Sequence, residues 1–269
     1  MCARACRLDL GSTGQRSAEG YQTVKDLLKH WCSAFVEPRR TLGIGRLGSY
    51  FIEFQRYRRL ESRNPAHWRD TYPCLSDRTR QTPVDPHYLY QGYWVTEKLV
   101  KFRPAAHIDV GSSLALMSTV NALVPVTFVD LRPARLNVPS MLVVAGNLVN
   151  LPMRDRSVQS LSCLHVIEHV GLGRYGDALD PDGTAKAARE LCRILAPGGR
   201  LLLSVPVGRE RVAFNAHRVL APKSILEMCG DLTLADFSLV DDDRVFRAHT
   251  TPDAAANLEY GCGLFEFVR

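Results

Sequence analysis

Asp109 and Asp130 lie 21 residues apart, each closing a short apolar run, and Gly111 follows closely on the first. A strand, a glycine turn, a helix and a second strand ending in an acid is the order that brings a carboxylate onto a ribose. Such a carboxylate accepts from both ribose hydroxyls and so selects a nucleoside whose 2′ oxygen carries no phosphate. In Asp109-Val110-Gly111-Ser112-Ser113-Leu114-Ala115 the backbone amides open a helix and sit at its positive end. Ser113 and Leu116 stand where a dinucleotide fingerprint needs glycine, which disfavours a pyrophosphate. A ribose with an amino-acid tail fits this loop better; an ordinary strand-to-helix turn is the alternative. After a third apolar run, Asn147 can hydrogen-bond an adenine amino group while Leu148 and Leu151 cover the ring, although Gly146-Asn147 also suits a plain turn.

The second group with chemical promise is His165, Glu168 and His169 in Cys163-Leu164-His165-Val166-Ile167-Glu168-His169. At that spacing a helical turn puts all three on one face. They can serve as a general base with orienting partners, as ligands for a divalent ion, or as a brace for the loop. No metal is assigned to them. Arg174 and Tyr175, in the polar glycine-rich stretch that follows, are candidates for acceptor contact. The acidic part of that stretch fails as a calcium loop, because Ala178 and Arg189 fall where its first and last ligands belong. Asp182 is expected to cap the next helix. In Phe214-Asn215-Ala216-His217-Arg218, His217 and Arg218 suit an anionic or hydroxylated acceptor, or simply a helix entry.

These residues need a scaffold that gathers them on one edge. Apolar runs predict strands near 106–110, 125–130, 141–145, 158–163, 200–205, 233–240 and 262–268. Helical spacing predicts helices near 113–122, 184–196 and 222–229, with Pro197-Gly198-Gly199 stopping the second. The expected fold is α/β: a Rossmann-like, seven-stranded, mostly parallel sheet whose last two strands pair as an antiparallel edge. Upstream, helices are expected at Thr23–Val36, Tyr50–Leu60 and His87–Phe102, the second with its aromatic residues inward. Residues 1–20 are expected to be disordered, 21–85 to form a basic helical extension with a proline-rich strap, and 86–269 to form the α/β domain. Gly43-Ile44-Gly45-Arg46-Leu47-Gly48 matches GxGxxG but follows no buried strand, so it reads as a connector.

At 46% apolar residues, 269 residues support a substantial core. No apolar run approaches the roughly 20 residues of a membrane span, and the N-terminus lacks the apolar segment of a secretory signal. Eight cysteines without a CxxC pair suit a reduced, cytoplasmic setting. The first 80 residues carry 15 Lys/Arg against 8 Asp/Glu, so the basic excess belongs to the N-terminal segment. That excess fits a surface for phosphate-bearing partners or anionic membrane, or a solvated helix face. Nucleic acid is not expected as a partner, and the N-terminal helices are the candidate surface for a homo-oligomer.

IDVGSS, TFVD, AGNLVNLP, SLSCLHVIEHVGLGRYGD, ELCRILAPGGRLLLSVPVG and FNAHR together resemble the class I S-adenosylmethionine-dependent methyltransferases over about residues 70–269. The nearest likeness is to an uncharacterised methyltransferase-like group next to methyltransferase type 11. The resemblance implies S-adenosyl-L-methionine as cofactor, with Asp109, Gly111, Ser112 and Ser113 at its methionine end. It places Asp130 and Leu131 at the ribose, Asn147 and Leu148 around the adenine, and His165 at the reacting end. Ser113 and Ala115 replace two glycines usual in that loop. The trio His165, Glu168 and His169 is similar to the metal-binding stretch of some quinone-pathway O-methyltransferases, which begin it with glutamate. The aromatic block from Pro86 to Gln91 is expected to close over the cofactor. The implied reaction is O-methylation of a small-molecule or glycan hydroxyl. His165 is the first choice of base and His217 the second, with Tyr90, Arg174, Tyr175, Asn215 and Arg218 on the acceptor. The competing expectations are a nucleotide-dependent oxidoreductase and a catalytically inactive cofactor- or partner-binding module.

Overall fold

The computed structural model describes residues 45–60 and 66–269. The chain divides into two compact units at Pro83/Val84. In the first, the described residues form α1 (Leu47–Arg58) and, from 66 on, irregular chain with a 3₁₀ turn at Trp68–Asp70. The helix expected from 50 to 60 is present, but its aromatic residues are not buried inward. Phe51 and Tyr57 remain exposed, while Phe51 and Phe54 lean on Trp68. Of the GxGxxG match, Gly45 and Arg46 form a turn and Leu47 and Gly48 lie inside α1; Gly43, Ile44 and the expected helix at 23–36 lie outside the described residues.

The second unit opens with α2 (Pro86–Phe102). Asp85 caps it by accepting from the amides of His87 and Tyr88, and Pro86 supplies a preset first position. His87, Gln91, Trp94, Val95, Lys98 and Leu99 form its buried stripe at helical spacing. Lys98 donates to Asp236 and Glu266, each at 2.7 Å, and pins the helix across the sheet. The order then runs β1 (His107–Val110), α3 (Leu114–Val120), β2 (Val126–Asp130), β3 (Leu142–Ala145), β4 (Val158–Leu164), α4 (Gly183–Ile194) and β5 (Leu195–Val207). The hairpin β6 (Arg211–Ala213) and β7 (His217–Val219) follows, then α5 (Pro222–Met228), β8 (Thr233–Val240), β9 (Phe246–Arg247) and β10 (Gly261–Val268).

The main sheet runs β3-β2-β1-β4-β5-β10-β8-β9. Strands β1 to β5 pair in parallel, and β10 joins antiparallel to both β5 and β8. Leu201 and Leu203 of β5 pack with Leu191, Ile194 and Ile225 beneath α4 and α5. Leu202, between them, packs with Trp94, Met117 and Phe128 beneath α2 and α3, as the alternation of a strand requires. Helices therefore cover both faces, and the fold is the expected Rossmann-like α/β one.

Several expectations of detail are corrected. The last strand is no edge: β10 lies between β5 and β8, and β9 closes that side. Pro197-Gly198-Gly199 is not a turn outside the sheet. It is absorbed into β5, where Val158 pairs with Leu195 but Ser160 already pairs with Arg200. This is a bulge with Gly198 at φ +71°. Asp182 makes no side-chain cap to α4. Instead Thr184 Oγ1 donates to the carbonyl of Ile167 and ties the helix start to the loop beyond β4.

Candidate active site

The carboxyl ends of β1, β2 and β3 are stitched together by backbone. The Gly111 amide donates to Val129 O at 2.8 Å and the Gly146 amide donates to Asp130 O at 3.0 Å. Gly111 turns at φ +72°, and a Cβ there would meet Val166 Cγ1 at 2.9 Å. At Gly146 a Cβ would drive into Val129 Cγ1 at 2.4 Å. The two glycines thus keep open a cleft of about 300 Å³, lined on this side by Gly111, Ser112, Asp130, Leu131, Asn147 and Leu148.

Asp130 lines that cleft. Its Oδ1 accepts from the Arg132 amide at 2.6 Å, and its Oδ2 has no hydrogen-bond partner among the described residues. Asn147 also lines it, its Oδ1 held by the Val149 amide at 3.1 Å. Asp109 does not reach the cleft. It is wholly buried, accepting from the Ser112 amide at 3.1 Å, from Ser112 Oγ at 2.7 Å and from Ser162 Oγ. Burial pushes its carboxyl up to about 6 against those hydrogen bonds. Its work is to fix the turn: Ser112 Oγ in turn accepts from the Leu164 amide at 2.9 Å and locks β1 to β4. Ser113 is also corrected, because it caps α3 rather than lining the cleft.

His165, His169 and Tyr175 form the opposite wall, with Asp177 beneath them. Asp177 accepts from the amides of Gly171 and Tyr175 at 2.7 and 3.2 Å and so folds the glycine-rich loop. The expected helical turn at 165–169 is a short 3₁₀ turn, Ile167–His169, and it does bring the trio together. Glu168 sits buried in the middle, with Oε1 at 3.0 Å from His165 Nδ1 and 3.7 Å from His169 Nε2. His165 Nε2 lies against Cys262 Sγ at 3.2 Å, so both of its ring nitrogens are engaged. Burial opposes its charge, but Cys262 and Glu168 prevail and hold its pKa well above the ordinary value.

His169 differs. Its Nδ1 donates to Ala216 O at 2.6 Å, which leaves Nε2 with the lone pair, and burial lowers its pKa. His217 stands behind it on β7, rings 6.4 Å apart, its pKa also lowered by burial. Tyr175 meets His169 edge-on at 5.6 Å and carries the guanidinium groups of Arg132 and Arg174 over its ring. Arg174 also donates to Ala216 O at 3.0 Å.

Three expected acceptor contacts are elsewhere. Arg218 is buried and donates to Val170 O, Thr184 Oγ1, Asp180 O and Pro181 O, so its donors are spent on bracing the loop. Asn215 lies exposed at the tip of the β6–β7 hairpin, which replaces the expected helix entry. Tyr90 stacks on Phe246 at 5.2 Å, away from the cleft. Of the aromatic block at the start of α2, His87 and Tyr88 are the members that reach His165, each at 5.7 Å. Sequence reasoning took His87 only as a member of the aromatic block and missed Cys262, because no spacing links 87, 165 and 262; it also missed Tyr260, whose ring stacks on His87 at 5.2 Å. It missed Arg132 too, although a place two residues after Asp130 offered a signal.

Within this chain, residues 152–245 match DUF268, described as a Caenorhabditis protein of unknown function. No curated protein matches by sequence. Among solved structures, the chain is similar to the N-methyltransferase NodS of Bradyrhizobium japonicum in complex with S-adenosyl-L-homocysteine. Identity there is 14%, covering 80% of this chain and 95% of NodS, at a TM-score of 0.46. It is similar also to geranyl diphosphate C-methyltransferase of Streptomyces coelicolor (14% identity, 66% and 79% covered, TM-score 0.46). A third is a TehB-like S-adenosylmethionine-dependent methyltransferase of Corynebacterium glutamicum (15%, 68% and 97%, 0.43). These neighbours act on varied substrates, and what each binds stays its own.

Proposed function

We propose that this chain binds S-adenosyl-L-methionine in the cleft and directs its methyl group to a hydroxyl oxygen of a small molecule or glycan. The observation that carries the reading is Oδ2 of Asp130, unpartnered among the described residues and set beside the Gly111 turn at the mouth of the cleft. Asp130 takes the ribose hydroxyls, the Asn147 and Leu148 loop frames the adenine, and Gly111 with Ser112 offers backbone carbonyls to the ammonium of the amino-acid tail, their amides being spent on Val129 O and Asp109. Ser113 and Ala115, which replace two glycines of the usual loop, do not line the cleft, and that supports the reading. A volume of about 300 Å³ falls at the lower end of ordinary small-ligand sites.

When bound, the cofactor supplies an electrophilic methyl whose carbon–sulfur bond breaks with its electron pair leaving on the thioether. The protein's part is alignment, exclusion of water and removal of one proton. His169 rather than His165 is the base in this reading. His169 lines the cleft and its Nδ1 donates to Ala216 O, which leaves the lone pair on Nε2, whereas both nitrogens of His165 are occupied. Tyr175 and His217 flank it on the acceptor side.

Calorimetric titration with S-adenosylmethionine, S-adenosylhomocysteine and NAD tests the binding half. Both sulfur nucleosides should bind and NAD should not; NAD binding alone would favour an oxidoreductase. A panel of hydroxylated acceptors with methyl-labelled cofactor tests the other half. Tight cofactor binding without label transfer to any acceptor would favour the inactive module.

A further inference from the structure

Beside the cleft lies a second set of donors that methyl transfer does not use. His87 at the start of α2, His165 after β4 and Cys262 in β10 each bring one ligating atom to within 4.8 Å of the others. The pair His165 Nε2 and Cys262 Sγ is at 3.2 Å. His87 and Cys262 are buried and the His165 side chain is 6% exposed. A buried cysteine is often only a small hydrophobe, and two stacked imidazoles can be mere packing. Two further observations point to a ligand.

The first is the support behind His165. Glu168 Oε1 holds its Nδ1 at 3.0 Å, so Nε2 is the nitrogen turned toward Cys262 and the one that would face an ion there. A carboxylate behind an imidazole is how proteins orient and strengthen a histidine that binds metal. The second is the other oxygen of the same group. Glu168 is 1% exposed and its Oε2 has no hydrogen-bond partner among the described residues. A carboxylate oxygen left dry and unpaired is costly, and a divalent cation just beyond His165 would offset its charge.

We propose that His87, His165 and Cys262 bind a zinc-class transition-metal ion, with Glu168 fixing His165 from behind and a fourth position left for an oxygen ligand. Two imidazole nitrogens and a thiolate suit Zn²⁺ and disfavour Mg²⁺ or Ca²⁺, which prefer oxygen. Ligand atoms on a tetrahedral Zn²⁺ lie roughly 3.3–3.6 Å apart, so the widest pair of the cluster needs to close by up to about 1.5 Å. Ligation releases the Cys262 thiol proton to solvent. The ion would clamp the start of α2 onto the ends of β4 and β10. It is also distinct from the trio read in the sequence: Glu168 supports and does not ligate, and the Nδ1 of His169 is spent on Ala216 O.

The full chain, stripped with chelator, is titrated with Zn²⁺ against a chromophoric competitor and separately loaded with Co²⁺. One equivalent of Zn²⁺ should bind with sub-micromolar affinity. The Co²⁺ form should show a thiolate charge-transfer band that Cys262→Ser abolishes. Glu168→Gln, nearly isosteric and so the safer variant should others not fold, should weaken Zn²⁺ about 10–100-fold. His169→Ala should bind Zn²⁺ as the wild type does. Zn²⁺ affinity in the wild type no better than that of free histidine would overturn the proposal. So would a Co²⁺ spectrum unchanged in Cys262→Ser, whether or not the chain proves to bind S-adenosylmethionine.

Discussion

The two walls of the cleft are built on different plans. The wall at the ends of β1, β2 and β3 is made of turns: Gly111, Asp130 and Asn147 each close a strand, and backbone hydrogen bonds set their spacing. The opposite wall is made of side chains from distant parts of the chain, with His165, His169 and His217 gathered around Glu168 and the Ala216 carbonyl. A wall of turns holds its shape through the sheet and varies little with any one side chain. A wall of packed polar groups depends on every member, so single substitutions there should do more damage.

The largest effect is expected at the packed wall. His169→Ala should slow methyl transfer about 10²–10⁴-fold on whichever acceptor takes the label, with cofactor affinity unchanged in calorimetry. The wild-type rate should hold through the pH range where an ordinary histidine titrates and fall only at more acid pH, because burial lowers the pKa of His169 and protonation removes the base. Undiminished turnover would return the role to His217 or His165.

Arg218→Met removes the donors to Val170 O, Thr184 Oγ1, Asp180 O and Pro181 O and should cost about 1–3 kcal/mol in denaturant unfolding, since the buried part of the loop loses its charged brace. If stability were unchanged while acceptor affinity fell, the residue would be a binding group after all.

On the turn-built wall, Asp109→Asn should change how stability depends on pH. The folded carboxyl titrates near 6 and the unfolded one at 3.8. The folded chain therefore holds the proton more tightly, and that stabilisation is present below pH 4 and lost as pH rises through 6. The swing is at most about 3 kcal/mol. Thermal unfolding from pH 4 to 7 should show this slope in the wild type and a flatter one in the variant.

The smallest effect is expected from Asp130→Ala, with about 1.5–3 kcal/mol lost in S-adenosylmethionine binding and the fold intact. Unchanged affinity would remove the ribose from this carboxylate. A loss larger than that of the opposite-wall variants would reverse the difference between the walls.

The same difference separates what could be read residue by residue from what could not. The βαβ unit around Asp109, Gly111 and Asp130 is legible in contiguous residues because period, turn and acid are local signals. The division of labour between the two aspartates is not. Asp109 turns inward because Ser112 and Ser162 receive it, and Ser162 sits on a neighbouring strand that β1 meets only in the folded sheet. The fates of Arg218 and Tyr90 were equally hidden, since an arginine in a motif looks the same whether it faces a substrate or four oxygens of its own chain.

The amino-acid order alone was enough for the alternating α/β elements, the antiparallel last strand and the turn-built half of the cleft, because those depend on neighbours within about thirty residues. Folding in three dimensions decided that β10 would slide between β5 and β8 and that His87, His165 and Cys262 would meet. Their approach depends on how a helix and two strands pack across a sheet, which no local spacing encodes.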